Sequence, residues 1–258
     1  MKIATYINII AIAMHRKKLV FAAGRTVVSS VCSEGNIVGF DLDVGAEIAS
    51  RLGVELVPTP QAWSVITAGN WAERFDMSVG SMTITSPREE VIDFSVPYYF
   101  TPAQVAARAD LGYTSVDELA DQTVCVGAAT TYLDWFNGDL DLGSLTPDVT
   151  PPEGSVVVSR ETDRDCANEW GAGRRDFEGW ITAAPTVQQA IADGLPVVAV
   201  GDPIFYEPLA VAFDKSVEDN DSLVEAVSAA ITAMHEDGTL TALSEKWYGE
   251  DLTKQAGE

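Results

Sequence analysis

Phe75-Asp76-Met77-Ser78-Val79-Gly80-Ser81-Met82-Thr83-Ile84-Thr85-Ser86-Pro87-Arg88-Glu89-Glu90-Val91-Ile92-Asp93-Phe94-Ser95-Val96-Pro97-Tyr98 is the stretch that decides how the chain is read. Phe75 to Val79 form a short, largely apolar run that suits a strand. Ser81 and Thr83 alternate with Met82 and Ile84, so the hydroxyls are expected on one side and the apolar chains against a core. Gly80 would let another molecule approach the backbone closely. Ser86-Pro87-Arg88-Glu89 reads as a helix start, with Ser86 as N-cap, Pro87 at the first helical position and Glu89 closing a capping box. Arg88 then falls in the first turn beside free backbone amides, where a guanidinium fork suits a carboxylate oxygen pair better than a lysine could. The competing readings are plain: a surface ion pair from Arg88 to Glu89, Glu90 or Asp93, and an ordinary polar loop face for Ser81 and Thr83. On the residues alone, the ion pair is the stronger reading for Arg88.

Outward from this stretch, short runs rich in β-branched residues alternate with amphipathic segments, the pattern of a parallel α/β sheet. The first series predicts strands over 19–23, 54–58 and 75–79 and helices over 41–52 and 62–68, with Gly53 and Gly69 as stops. A second series opens at Ser115, where Ser115-Val116-Asp117-Glu118 reads as a capping box. It continues with strands over 123–127, 155–159, 177–181 and 196–200 and helices near 132–136, 163–171 and 186–193. Residues 140–154, with Pro147, Pro151, Pro152, Gly143 and Gly154, read as a long surface loop. In the tail, Leu223, Val224, Val227, Ile231 and Met234 share one helical face, with Ser222 as N-cap and Gly238 as stop, and a last helix covers 240–247. No strand remains for these two helices to cover, so the chain is expected to return to its first domain.

The chain has 258 residues, 47% of them hydrophobic, enough apolar material for two cores of ordinary size. Its 39 acidic against 16 basic residues give a formal charge of -23. That field repels phosphate backbones and anionic lipid, so nucleic acid is not an expected partner. Ile7 to Met14 form a short apolar run followed by His15-Arg16-Lys17-Lys18; the charges lie on the wrong side for a secretory signal and the run is too short for a membrane span. Residues 1–18 are therefore read as a degenerate leader or extension. Cys32, Cys125 and Cys166 are too scattered for a metal cluster. Cys125 and Cys166 fall within one domain, as a disulfide or as two small buried thiols. Ser29-Ser30-Val31 before Cys32 is a poor lipid-attachment site.

The quoted stretch closely resembles the signature of the family-3 periplasmic solute-binding proteins that serve polar amino acid importers: an aspartate-containing strand, a serine/threonine turn, an arginine, then Phe-Ser-x-Pro-Tyr. Gly39 to Asp43, Thr101 to Arg108, Phe205 to Lys215 and Lys246-Trp247-Tyr248-Gly249 agree in order and spacing, so the resemblance covers about Leu19 to Leu252. It implies an α/β fold of the type 2 periplasmic-binding kind, two Rossmann-like lobes (19–105 with 208–258, and 106–207) joined by two hinge strands and closing on ligand held in the cleft. It implies an amino acid or other small carboxylate as ligand, with Gly80, Ser81, Thr83 and Arg88 facing it from the first lobe and Thr130 and Thr131 from a strand-to-helix turn of the second. Capping is the competing role for that threonine pair. Trp63 is a candidate wall of the cleft, with core packing the alternative. An ABC permease as partner, a periplasmic or membrane-tethered location outside the cytoplasm, a monomeric state and no cofactor or metal complete the expectation.

Two departures limit the carry-over. Where many members have a Pro-Pro-aromatic stretch, this chain reads Thr26-Val27-Val28-Ser29-Ser30-Val31-Cys32. Where many place an aspartate for the ligand's α-ammonium group, it reads Phe177-Glu178-Gly179-Trp180-Ile181-Thr182-Ala183-Ala184-Pro185. Thr182 is the nearest polar replacement, and Glu178 and Asp134 are acids in the region; Asp202 is read as structural. A buried ammonium without a carboxylate would cost several kcal/mol. A dehydratase-like enzyme on the same fold and a ligand-sensing receptor domain are the alternatives. His15 and His235 are poorly placed as general acids, and there is no nucleophile elbow, so an enzyme is not expected. The acidity itself reads as a solvated, salt-tolerant surface: a thermal-melt series is expected to show the midpoint rising with added KCl, and a flat series would remove that reading.

Overall fold

The computed structural model describes residues 18–24, 31–33, 36–147, 149–218 and 220–254. The leader expected before Lys18 and the Thr26–Ser30 part of the altered stretch lie outside them, as do the side chains of Lys18 and Cys32. The chain forms two compact units, one from the described residues of Met1–Phe100 and Pro208–Glu258, the other Thr101–Glu207.

Unit 1 is built on β1 (Lys18–Gly24), β4 (Glu55–Gln61) and β5 (Met77–Thr83), with a small hairpin of β2 (Val31–Ser33) and β3 (Asn36–Val38). β1 pairs in parallel with β4, from Lys18↔Glu55 to Gly24↔Gln61, and with β5 at Phe21↔Met77. The last part of β10 (Val197–Asp214) closes the sheet antiparallel to β5, with Leu209 opposite Thr83. Helix α1 (Phe40–Leu52) ends where Gly53 turns left-handed at φ 70 and returns its N–H to the Ala49 and Ser50 carbonyls. Both sheet faces carry a core. One packs α1 with α7 (Asp221–Glu236) and α8 (Thr239–Tyr248) through Val44, Ile48, Phe213, Leu223, Val227 and Met234. The other gathers Ile66, Trp71, Phe75, Met82 and Ile92 beside α2 (Trp63–Thr67). The helix expected over 222–234 starts earlier than predicted: Asn220 and not Ser222 is its N-cap, because the Asn220 amide donates to the Asp214 carbonyl at 3.2 Å and anchors the chain leaving β10.

Unit 2 repeats the scheme. β7 (Thr123–Gly127) pairs in parallel with β8 (Val156–Arg160) and β9 (Gly179–Ala183), and β9 pairs antiparallel with β6 (Ile92–Arg108), with Ala103 opposite Ala183. Helices α4 (Thr131–Asn137), α5 (Asp163–Gly171) and α6 (Ala184–Ala192) flank it. Such a sheet, covered on both faces, needs apolar residues on both: Val124, Val126 and Ile181 face one core, Cys125 and Trp180 the other. The Ser115–Glu118 capping box is present, before a short 3-10 turn (Val116–Leu119). Cys125 of β7 and Cys166 of α5 form a disulfide, Cα to Cα 5.9 Å, that fastens the helix to the sheet.

Two elements are longer than expected. β6 runs unbroken for 17 residues, and β10 for 18 joins the separate strands anticipated over 196–200 and 205–215 into one. Both pass from one unit into the other, and the divisions fall after Phe100 and after Glu207. The disulfide closes a loop of 41 residues. A Cys125→Ala, Cys166→Ala double variant is expected to lose roughly 2–4 kcal/mol of unfolding free energy in urea melts, with reductant producing the same loss in the wild type only.

Candidate functional site

Each unit gathers its candidate residues around a buried charge. In unit 1, the alternation expected across Ser81–Ile84 is interrupted at Ser81, which adopts φ 55 inside β5, a left-handed conformation costing about 1–2 kcal/mol outside glycine. Hydrogen bonds hold it there. The Ser81 N–H donates to Tyr98 Oη at 3.0 Å, and Ser81 Oγ donates to Asp41 Oδ2 at 2.9 Å and shares a short hydrogen bond with Tyr99 Oη. Tyr98 Oη in turn donates to Asp41 Oδ1 at 2.7 Å. Asp41 is fully buried in the first turn of α1, where the helix dipole favours a carboxylate. Burial first, with the Asp41 charge adding to it, pushes the Tyr98, Tyr99 and Tyr248 phenols well up, so they remain donors. The Ser81 hydroxyl is thus committed to Asp41, a partner that nothing in the 75–98 pattern announces.

Arg88 closes α3 (Ser86–Glu89). The N-cap is Thr85, which has the extended backbone and accepts from Arg88 N–H at 3.3 Å; Ser86 is already helical. The expected capping box is therefore out of register, with Arg88, not Glu89, at the third helical position. The Arg88 side chain, 9% exposed, folds back so that Nη1 donates to the Thr83 carbonyl at 2.9 Å. Its Cζ lies 5.7 Å from the centroid of the Trp63 ring, a cation–π distance. Trp63 also packs against the Ile66–Trp71–Phe75 core, so it serves both roles considered for it. Asp93 pairs with Lys215 at 3.5 Å. Trp63, Thr83 and Arg88 are brought together; Gly80 is a buried β5 residue beside them in sequence.

In unit 2, Thr130 is the N-cap of α4, accepting from Leu133 N–H at 3.4 Å and donating to the Gly127 carbonyl at 2.7 Å. Thr131, the first helical residue, instead donates to Glu207 Oε1 by a short bond. Tyr132 Oη donates to Glu207 Oε2 at 2.6 Å and Thr101 Oγ1 to the same oxygen at 3.5 Å. Thr182, fully buried in β9, donates to Asp163 Oδ2 at 3.0 Å. The other oxygen, Asp163 Oδ1, is buried without a well-formed hydrogen bond, packed so close to Gly127 that a Cβ there would lie 1.9 Å from it. Burial, reinforced by the nearby Glu207 charge and opposed by the Thr182 hydrogen bond, pushes the Asp163 carboxyl up from 3.8 to about 7.

Of the acids named from sequence, Glu178 accepts from the Thr123 backbone at 3.2 Å, Asp134 sits in the first turn of α4, and Asp202 is exposed on β10. The carboxylate beside Thr182 is Asp163. Sequence reasoning passed over Asp163, Glu207 and Asp41, since the first opens a helix, the second lies in a returning strand and the third in a landmark read for fold. A signal existed for Asp163 alone: the glycine at 127, needed where a carboxylate crowds the end of β7. Among the described residues no cluster of three potential metal ligands occurs, and no helix is long and apolar enough to cross a membrane.

Two doubly covered α/β units, linked by two continuous strands and each presenting hydroxyls, amides and a buried charge near the ends of its parallel strands, define a solute-binding protein of the type 2 periplasmic-binding fold. ArgBP from T. maritima superimposes with a TM-score of 0.77 over 93% of this chain and 99% of its own, at 26% identity. The ancestral amino acid-binding protein AncCDT-1, a precursor of cyclohexadienyl dehydratase, gives the same TM-score at 25% identity. The chain belongs to the bacterial extracellular solute-binding proteins, family 3, whose profile matches residues 25–250. The L-cystine-binding protein TcyJ of Escherichia coli (strain K12) is 30% identical over 225 residues, 86% of this chain and 78% of that protein. The probable amino-acid-binding protein YxeM of Bacillus subtilis (strain 168) is 27% identical over 234 residues.

The Asp163 carboxyl has a testable consequence. Its folded value, about 7, lies above the ordinary 3.8, so between those values the folded state binds more protons than the unfolded and stability falls as pH rises. Asp163→Asn, which keeps an acceptor for Thr182, is expected to remove that contribution. Its melting midpoint should exceed that of the wild type at pH 8, and the gap should close toward pH 4; equal midpoints across the range would show the carboxylate is not destabilising.

Proposed function

We propose that this protein is the substrate-binding component of an ABC importer, taking an amino acid or related small carboxylate between its two units and delivering it to a membrane permease outside the cytoplasm. The two compact units act as the two lobes, and β6 and β10 are the strands about which they close. Arg88 carries the carboxylate half of the assignment. It is a buried guanidinium one turn into a helix, held by the Thr83 carbonyl and the Trp63 ring, and such a pre-organised fork favours bidentate recognition of a carboxylate. Gly80, Ser81 and Thr83 offer backbone and hydroxyl groups on the same unit, and Thr130, Thr131 and Thr182 face the ligand from the other. The relatives' names point the same way: L-cystine for TcyJ, arginine for the extracellular protein ArtP of Bacillus subtilis (strain 168). The chain works as a monomer, without a cofactor, and binds without turnover.

A thermal-shift screen of the purified protein against amino acids and small carboxylates tests this. A ligand at about a hundred times its Kd adds about 2.7 kcal/mol to stability. Arg88→Ala is expected to abolish the shift while its own unliganded melt stays cooperative; a shift that survives the substitution would remove Arg88 from the site.

A further inference from the structure

Asp163 is a carboxylate that the fold has withdrawn from water and half satisfied. One oxygen accepts from Thr182 Oγ1; the other is buried against the Gly127 backbone without a hydrogen bond. Among the described residues no lysine or arginine forms an ion pair with it: its helix neighbour Arg164 pairs with Asp193, and Arg160 binds Glu169 at 2.8 and 3.0 Å. A second buried carboxylate, Glu207, lies within electrostatic reach in the same unit and accepts from Thr131, Tyr132 and Thr101. Leaving a carboxylate oxygen buried and unanswered costs free energy that a protein recovers when a cationic group arrives. The niche is also shaped: its floor is Gly127, where any side chain would collide with Asp163 Oδ1, and its wall is the fully buried Thr182. Two carboxylates ringed by hydroxyl donors form a strongly negative recess, which a primary ammonium suits well, since its three N–H donors can be divided among several oxygens.

We infer that Asp163, seated between Thr182 and Gly127 and backed by the charge of Glu207, receives the ammonium group of the bound ligand. The inference rests on the amino-acid reading above and deepens it. The acid required to face the ammonium is supplied from the start of α5, one strand away from the Ala183–Ala184 positions where the sequence lacks it. The ligand class is accordingly a zwitterion, its carboxylate on unit 1 and its ammonium on unit 2.

Isothermal titration with L-cystine, L-arginine and L-glutamine, each beside its counterpart lacking the α-amino group (3,3′-dithiodipropionate, 5-guanidinopentanoate and glutaramate), separates the two claims. For an amino acid that the wild type binds, Asp163→Asn is expected to weaken binding roughly 10- to 100-fold, the range for a charge-assisted hydrogen bond. The counterpart without the amino group should bind wild type and variant alike. Gly127→Ala, which drives a methyl group into Asp163 Oδ1, should give the same selective loss, and it provides the reading if Asp163→Asn fails to fold. Equal affinity of wild type and either folded variant for the amino acid overturns the inference and leaves the amino-acid reading standing. Loss of both members of a pair together also overturns it, because the niche would then be structural. If the folded wild type binds none of the three amino acids, the amino-acid reading itself falls and this inference with it.

Discussion

A carboxylate taken out of water needs either a cation or a set of hydrogen-bond donors, and a chain with 16 basic residues against 39 acidic ones has few cations to assign to its interior. This protein answers the problem with hydroxyl groups. Asp41 is held by Tyr98 and Ser81, Glu207 by Thr131, Tyr132 and Thr101, and Asp163 by Thr182. Each cluster ties together elements distant in sequence: α1 to β5 and β6, α4 to β10, α5 to β9. Hydroxyl donors stay neutral at every physiological pH, so these ties do not depend on a partner's charge. They leave the recesses electronegative, unlike an arginine pair, and that character separates unit 2 from the Arg88 face of unit 1.

The architecture was largely legible because its signals are local and repeated. Runs of β-branched residues, glycine stops such as Gly53 and capping boxes such as Ser115–Glu118 each arise within a few residues of chain. The helix over 163–171 was placed at its true ends because Thr162 and Asp165 cap it within three residues. Errors came where a distant group decided the outcome. Ser86 was given the cap that belongs to Thr85, because the register of α3 is set by where β5 ends. Ser222 lost its role because the Asn220 amide is bonded to Asp214. β10 was read as two strands across Gly201, which bends it at φ 64 without ending it.

The candidate site divided along the same line. Arg88, Thr83 and Trp63 could be found from one stretch and a resemblance, and they meet in the structure. Asp163 and Glu207 could not, since their significance lies in what they lack or gather from β7, β9, α4 and β6. Substituting one acid for another at a new point of the chain preserves a charge while erasing the motif that advertises it. A reading by motif reports such a site as missing, and only packing reveals the replacement.

The order of the chain through its two units also bears on how the protein is made. Everything in Thr101–Glu207 leaves the ribosome as one continuous piece, flanked by the two portions of unit 1. Unit 2 can therefore assemble, and its cysteines can meet, while unit 1 still lacks β10, α7 and α8 and leaves the apolar face of α1 uncovered. Completion of the first-begun half waits for the last-made helices, so α1 is the surface in greatest need of protection during synthesis.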